Sequence, residues 1–340
     1  MSTPPLKLGI AIEETWAFFH EVHAYLEERH ALDHFERRKI DPPFFKERSN
    51  RFLFRRDLRA FLERNDVIFF EWASELLVEA SRLPKRCGIV TRLHRYEMYQ
   101  WAEAVNWDAV DRIILVSRAK EKEFAARFPR QREKVVVIPE AVSLARFPTV
   151  EKQFQGDLGI LCHLTPRKRV YELILAFYEL SRERQGFRLH LGGGAHVLHG
   201  DYYQAMIDLV RRLGLEDRVF FDGNVEDTPE WFRKIDVLIS NSYSEGLQVS
   251  PLEAIASGCY CLSHRWPGAE EMLPEANLYY SDRELIQRLL EFWDLSLEEK
   301  QARIDGLQAI VRDRFDVDRT RVQIGTVIEE VGTGWRRGKA

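Results

Sequence analysis

The sequence predicts an α/β protein built from two doubly wound, Rossmann-like domains, each with a parallel sheet. Three observations predict it. Short, near-continuously apolar runs alternate with amphipathic stretches of helical period. The alternation comes in two successive blocks, and 340 residues suit two domains of ordinary size. The runs are apolar at consecutive positions rather than alternate ones, as in strands covered on both faces.

In the first block the expected strands are 6–12 (LKLGIAI), 66–72 (DVIFFEW), 87–94 (CGIVTRLH), 112–117 (RIILVS) and 134–139 (KVVVIP). Helical stretches lie between them at Thr15–Glu28, Ser74–Leu83 and Ala119–Phe128. After Phe147 the second block runs through strands 157–164, 187–193, 218–223, 236–241 and 259–264. Its helices are Val170–Arg184, Tyr202–Leu213, Glu230–Ile235 and Pro251–Ser257. The polar, patternless join PTVEKQFQ (148–155) marks a boundary, giving expected domains 1–148 and 149–315. A helix at Asp318–Val331, with no strand after it, sits in a tail over 316–340. Ligands of open α/β sheets bind outside the carboxyl ends of the strands, so two such domains predict a site in the cleft between them.

Composition narrows the functional classes. Lys plus Arg is 50 and Asp plus Glu is 54, a net charge of −4, which argues against a surface built for nucleic acid; no nucleic-acid partner is expected. No apolar run approaches a membrane span. The apolar stretch in MSTPPLKLGIAI is too short for a signal peptide and lacks a cleavage site, so a cytoplasmic setting is expected. The four cysteines (Cys87, Cys162, Cys259, Cys261) form no C-x-x-C pair and accompany no paired histidines. They read as four small buried hydrophobes, and no metal site is expected.

The strand-to-helix turns carry the chemistry. In SNSYSEGLQVSPLEAIASG (240–258) a strand ends at Asn241, Glu245 and Gly246 form a tight turn, and a helix starts near Ser250–Pro251 with Glu253 in its first turn. Amides at Leu247, Gln248 and Val249 would then face an anion at the positive end of the helix. Glu245 and Glu253 suit sugar or ribose hydroxyls; alternatively, Glu253 only complements the helix dipole. The turn CHLTPRKRV (162–170) sets His163 beside Arg167, Lys168 and Arg169, either a pyrophosphate cradle or a solvated charge run. Gly192–Gly194 permits close backbone approach, without a G-x-G-x-x-G fingerprint or a phosphate loop. At the end of strand 87–94, His94 stands beside Arg92, Arg95 and Glu97, either structural or functional.

Together these motifs resemble the GT-B-fold, retaining glycosyltransferases of family four (glycosyl transferases group 1). The pattern E-G-F-G-x-x-x-x-E-A-x-A-x-G reads Glu245-Gly-Leu-Gln-Val-Ser-Pro-Leu-Glu253-Ala-Ile-Ala-Ser-Gly258 here. G-R-L-x-x-x-K-G reads Cys162-His163-Leu-Thr-Pro-Arg-Lys168-Arg169, and L-G-L-x-x-R-V-x-F-x-G-x-V reads Leu213 to Val225. I-P-N-G-V-x-x-x-R-F reads Ile138-Pro-Glu140-Ala141-Val-Ser-Leu-Ala-Arg146-Phe147. The resemblance is good over 87–331 and poor over the first 85 residues.

The resemblance implies two Rossmann-like domains facing across a cleft, with the last helix crossing back to the first. It implies retaining transfer of a sugar from a nucleotide-diphosphate sugar, of UDP or GDP type, to an acceptor hydroxyl, with no cofactor. Lys168 would contact the diphosphate, Glu253 the ribose, Glu245 the donor-sugar hydroxyls and His94 the donor sugar. His163, Arg167 and Arg169 would add to the diphosphate site. Gly193, Gly194, Asn224, Val225 and Gly246 to Val249 would line the donor. Departures stand beside these matches. His163 replaces an arginine that partners the lysine, and Glu13-Glu14-Thr15 replaces a glycine pair on the side expected, with Glu97, to face the acceptor. Glu140-Ala141 replaces Asn-Gly in the hinge, read as a structural change only.

Charge builds on the leaving diphosphate, so fixed cations and helix amides replace a metal in this scheme. The acceptor is expected to be a saccharide, a lipid-linked molecule or another hydroxyl compound. Residues 44–59 (FFKERSNRFLFRRDLR) interleave aromatic and basic residues, either a peripheral contact for an anionic membrane surface at the inner face, a lipid-linked acceptor or a nucleic acid, or an amphipathic helix with snorkelling charges. Rival functions are a nucleotide-sugar epimerase of the same fold, a catalytically silent nucleotide-sugar-binding protein and, more distantly, a glycosidase.

Overall fold

The computed structural model describes residues 5–16, 19–41 and 44–339. Residues 1–4 of the stretch read for a leader, and 17–18 of the expected helix Thr15–Glu28, lie outside the described residues. The chain forms two compact units, Met1–Glu140 with Val317–Ala340, and Ala141–Asp316.

In the first unit the elements run β1 (Lys7–Ala11), α1 (His20–Glu27), β2 (Ala31–His34), α2 (Lys46–Arg64), β3 (Val67–Phe70), α3 (Glu75–Ser81), β4 (Gly88–Leu93), α4 (Arg95–Gln100), β5 (Arg112–Leu115), α5 (Arg118–Arg127) and β6 (Val135–Val137). The strands form one parallel sheet in the order β2-β1-β3-β4-β5-β6. The apolar run in β3 shows why. Ile68 and Phe70 pack with Phe54, Leu58, Phe61 and Leu62 of α2 on one face. Val67 and Phe69 pack with Phe19, Val22 and Leu26 on the other. A strand covered twice needs an apolar residue at every position.

The second unit runs β7 (Asp157–Leu161), α6 (Val170–Glu183), β8 (Arg188–Gly192), α7 (Gly200–Leu213), β9 (Val219–Gly223), α8 (Thr228–Lys234), β10 (Val237–Ser240), α9 (Val249–Ala256), β11 (Tyr260–His264), β12 (Leu278–Tyr279), α10 (Asp282–Trp293) and α11 (Leu297–Arg314). Its parallel sheet has the order β12-β11-β10-β7-β8-β9. The last helix, α12 (Val317–Lys339), returns to the first unit, where Ile324 and Ile328 join the core around Val67, Phe69 and Val90.

Both sheets therefore have a point where the strand order reverses: between β1 and β3 in the first unit, and between β7 and β10 in the second. Loops leaving such neighbouring strands diverge to opposite faces and open a crevice at the carboxyl ends. The strand pattern did not reveal β2 or β12, short edge strands of four and two residues. Three of the four cysteines are buried as expected; Cys162 is partly exposed because it lies just past the end of β7.

Candidate active site

In the second unit the loops after β7 and β10 meet at the reversal point. The loop after β7 makes a 3₁₀ turn, Pro166–Lys168, and enters α6 through Arg169 in the left-handed conformation (φ 51°). Asn241, at the end of β10, donates from its side-chain amide to Arg169 O at 2.9 Å, and Tyr279 OH donates to Asn241 Oδ1 at 2.8 Å. The Tyr243 amide donates to Arg167 O at 3.3 Å. These bonds fasten the basic turn to the acidic one.

Their side chains converge on one atom. Lys168 Nζ lies 2.7 Å and Arg167 Nη1 2.5 Å from Glu245 Oε1, and Gln248 Nε2 donates to the same oxygen at 3.1 Å. Burial pushes the Glu245 carboxyl up, but Lys168 and Arg167 outweigh it and hold the group below the ordinary carboxylate range. Gln248 is held in turn by Ser240 Oγ, which donates to its Oε1, and it donates to Ser242 Oγ at 3.3 Å. Arg167 also donates to Ser244 O at 2.8 Å. The result is two cations sharing one carboxylate oxygen, a site whose positive charge exceeds its negative charge.

The glycine turn closes the same region. Gly193 adopts φ 135°, and a Cβ there would stand 1.9 Å from Cys162 O. Its amide donates to Gly223 O at 2.7 Å. A Cβ on Gly194 would meet Asn224 Oδ1 at 2.5 Å, so Gly193, Gly194 and the Asn224–Val225 loop pack against the turn that bears His163. Burial, and then Lys168, His196 and Arg167, lower the His163 pKa, which leaves a neutral imidazole at pH 7. Arg169 is turned toward α10, its Nη2 3.5 Å from Asp282 Oδ1.

Helix α9 begins at Val249 with Gln248 as N-cap, earlier than the expected Ser250–Pro251. Glu253 is thus one turn inside the helix, not in its first turn, and Pro251 is the third helical residue, where its missing N–H is still no loss. Gly246, Leu247 and Gln248 are buried in the approach to the helix.

In the first unit the loops after β1 and β3 likewise meet at the reversal. Glu13 pairs bidentately with Arg37, at 2.6 and 2.9 Å, so the acidity expected to face an acceptor is offset by a cation. Glu14 accepts from the Glu13 amide at 3.3 Å. Thr15 O accepts from the Trp72 indole at 3.1 Å, and the Trp72 ring stacks on His94 at 4.2 Å between centroids. Glu97 is fully buried, its Oε1 accepting from the backbone amides of Ala73 (3.2 Å) and His94 (3.3 Å). That is the position of an N-terminal brace for α4.

His94 lies in a ring of alternating charge. Its Nδ1 is 2.8 Å from Glu140 Oε1 and its Nε2 3.4 Å from Glu71 Oε1. Arg92 closes the ring, with Nε donating to Glu71 Oε1 at 2.9 Å and Nη1 3.6 Å from Glu140 Oε2. Burial pulls the His94 pKa down, but Glu140, Glu71 and Glu97 overcome it and bring it to about 10. Glu140, read from the hinge motif as a structural change, thus places its carboxylate against the histidine. Glu71, Trp72 and Glu140 were missed from the sequence, as were Ser240 and Ser242. Each lies at or within a few residues of the end of an apolar run, and that position at a strand's carboxyl end was the signal available.

A family model for glycosyl transferases group 1 matches residues 155–293, and one for glycosyltransferase family 4 matches residues 17–146. The chain belongs to this family. The match extends the resemblance into the first 85 residues, where the motifs alone were silent. The chain is 26% identical over 175 residues to the alpha-monoglucosyldiacylglycerol synthase of Streptococcus pneumoniae, covering 46% of the chain and 38% of the relative. It is 32% identical over 107 residues to the lipopolysaccharide core biosynthesis mannosyltransferase LpsB of Rhizobium meliloti, covering 32% and 30%. The chain thus spans well under half the length of these curated relatives. Among solved structures it is similar to Anabaena Alr3699/HepE in complex with UDP-glucose, at 18% identity and TM-score 0.77, over 96% of this chain and 100% of that one. The sucrose-phosphate synthase of Thermosynechococcus elongatus gives TM-score 0.77 at 15% identity, over 96% and 99%. These likenesses establish the GT-B fold. Among the described residues no group of three or more His, Cys, Asp or Glu has the arrangement of a metal site, and no helix is long and apolar enough to cross a membrane.

Proposed function

We propose that this chain transfers a sugar from a nucleotide-diphosphate sugar of UDP or GDP type to an acceptor hydroxyl, with retention of configuration and without a metal. The observation that carries the reading is the convergence of Lys168 and Arg167 on one oxygen of Glu245 at the strand-order reversal of the second unit. A diphosphate arriving there exchanges a single shared carboxylate for its own charge. Lys168 and Arg167 then stabilise the charge that builds on the leaving group, and the Leu247–Val249 amides add donors at the start of α9. Glu245, held ionised by the same cations, accepts from donor-sugar hydroxyls through Oε2. Glu253 serves the ribose, Asn224 and Val225 the base, and His94 the donor sugar.

The acceptor reading rests on α2. Phe44, Phe45 and Phe52 are 77%, 76% and 67% exposed, while Phe54, Leu58 and Phe61 on the opposite face are core. Among the described residues Arg48, Arg51 and Arg59 enter no ion pair, whereas Arg55 and Arg56 do. Exposed aromatic rings beside uncommitted arginines suit an anionic membrane surface and a lipid-linked acceptor there. The diacylglycerol-directed name of the pneumococcal relative supports that choice over a free saccharide.

A thermal-shift panel of UDP-, GDP-, ADP- and dTDP-sugars tests the donor, since a ligand bound to the native state raises Tm. Transfer from the stabilising donor, with the product's anomeric configuration read by NMR, tests the reaction. A donor that binds and is neither transferred nor hydrolysed would make the chain a binding protein.

A further inference from the structure

The ring around His94 is more than a buried ion pair. Four side chains alternate in sign, Arg92, Glu71, His94 and Glu140, and all are buried, the most accessible being His94 with a side chain 11% exposed. Each comes from a different point of the first unit: Arg92 from within β4, Glu71 after β3, His94 after β4 and Glu140 three residues after β6. The Trp72 ring covers one face of the imidazole. The carboxylates of Glu71 and Glu140 face the two ring nitrogens, and Glu97 lies beneath on α4 with Oε1 committed to backbone amides. Arg92 is the cation of the set, and a neutral imidazole would leave it facing two carboxylates alone. A buried cluster is tolerable only when its charges are balanced, and within the ring of four they balance when His94 carries a proton; Glu97 beside it adds a further carboxylate that favours the same protonated ring.

We propose that Glu140 is a positioning residue of the transfer reaction, anchoring Nδ1 of His94 so that the ring serves the donor as a fixed cation and never as a base. The inference rests on the proposed glycosyl transfer and adds to it a role for the hinge residue. A permanent imidazolium adds positive charge on the donor side without proton transfer, which suits a step whose charge develops on a diphosphate. Neutral imidazole would instead present an acceptor nitrogen and lose that attraction.

The experiment uses the full chain labelled with ¹³Cε1-histidine, with the His94 resonance identified by its loss in His94→Gln. The wild type is expected to show an imidazolium signal to about pH 9. In Glu140→Gln, which keeps the volume and removes the charge, the resonance titrates at least about one unit lower. The alkaline fall of kcat/KM moves down with it, and Glu140→Asp restores both. Circular dichroism and Tm show that each variant is folded. A neutral His94 at pH 7 in the wild type, or an unchanged titration in Glu140→Gln, overturns the proposal. A shifted resonance with an unshifted kcat/KM profile also overturns it, while leaving glycosyl transfer intact. Absence of transfer from every donor would instead remove the reading beneath it, and the resonance would still decide whether Glu140 sets the charge of His94.

Discussion

Nδ1 of His94 lies 2.8 Å from Oε1 of Glu140, joining the residue just past β4 to the one three past β6, with β5 between the two strands. The contact has a thermodynamic signature. The His94 pKa is about 10 in the folded protein against 6.5 for an ordinary histidine. Between those values the folded state holds a proton that the unfolded state releases, so stability falls as pH rises. Its contribution is complete below about pH 6.5 and is lost as pH passes through about 10. Melting temperature should therefore decline across that window, and the decline should flatten in His94→Gln.

Arg92 is the cation between Glu71 and Glu140. Arg92→Met leaves two buried carboxylates with only His94 to balance them. Breaking a buried pair in this way costs about 3–5 kcal/mol, a loss that urea unfolding would measure. A variant as stable as the wild type would mean that the ring contributes nothing to folding.

Lys168→Ala should leave the fold intact, because Glu245 keeps Arg167 and Gln248 as partners. Transfer should drop about 10²- to 10³-fold, in line with removal of one donor to a developing charge. Steady-state kinetics with the identified donor checks this; wild-type turnover would remove Lys168 from the mechanism.

His163 stands where an arginine is expected, and its lowered pKa leaves it neutral above about pH 6.5. His163→Arg should tighten nucleoside-diphosphate binding about 5-fold or more at pH 8, the scale of one charge-assisted hydrogen bond. The gain should shrink as the pH is lowered, because acid favours a protonated native imidazole and the bound diphosphate favours it further. Calorimetric titration at pH 8 and at pH 5.5 would show it.

Gly193→Ala places a Cβ 1.9 Å from Cys162 O at φ 135°, where the clash is with backbone and cannot be relieved by a rotamer. Strain at such a position is worth about 1–3 kcal/mol before the clash is counted. Loss of soluble protein, or a Tm well below that of the wild type, is the expected result, with Gly200→Ala, which meets nothing within 4 Å, as the control.

Much of this was legible in the chain because the information is local. Apolar runs such as VIFF and RIIL announce strands buried on both faces. The spacing from Glu245 to Gly258 and the basic turn ending at Lys168 are contiguous segments that carry their own geometry. The edge strands β2 and β12 were silent because, at four and two residues, they offer too few positions for a pattern to show.

The amino-acid order by itself determined the two α/β units, the family, and which turns would hold cations and carboxylates, since each depends on residues near one another in the chain. Only the tertiary structure decided which charges meet: that Lys168 and Arg167 share one oxygen of Glu245, and that Glu140 reaches His94 across forty-six positions of sequence. The reason is that strand order is set by packing of the whole sheet. It brings the carboxyl ends of distant strands together, and pairings made there leave no periodicity in the sequence to read.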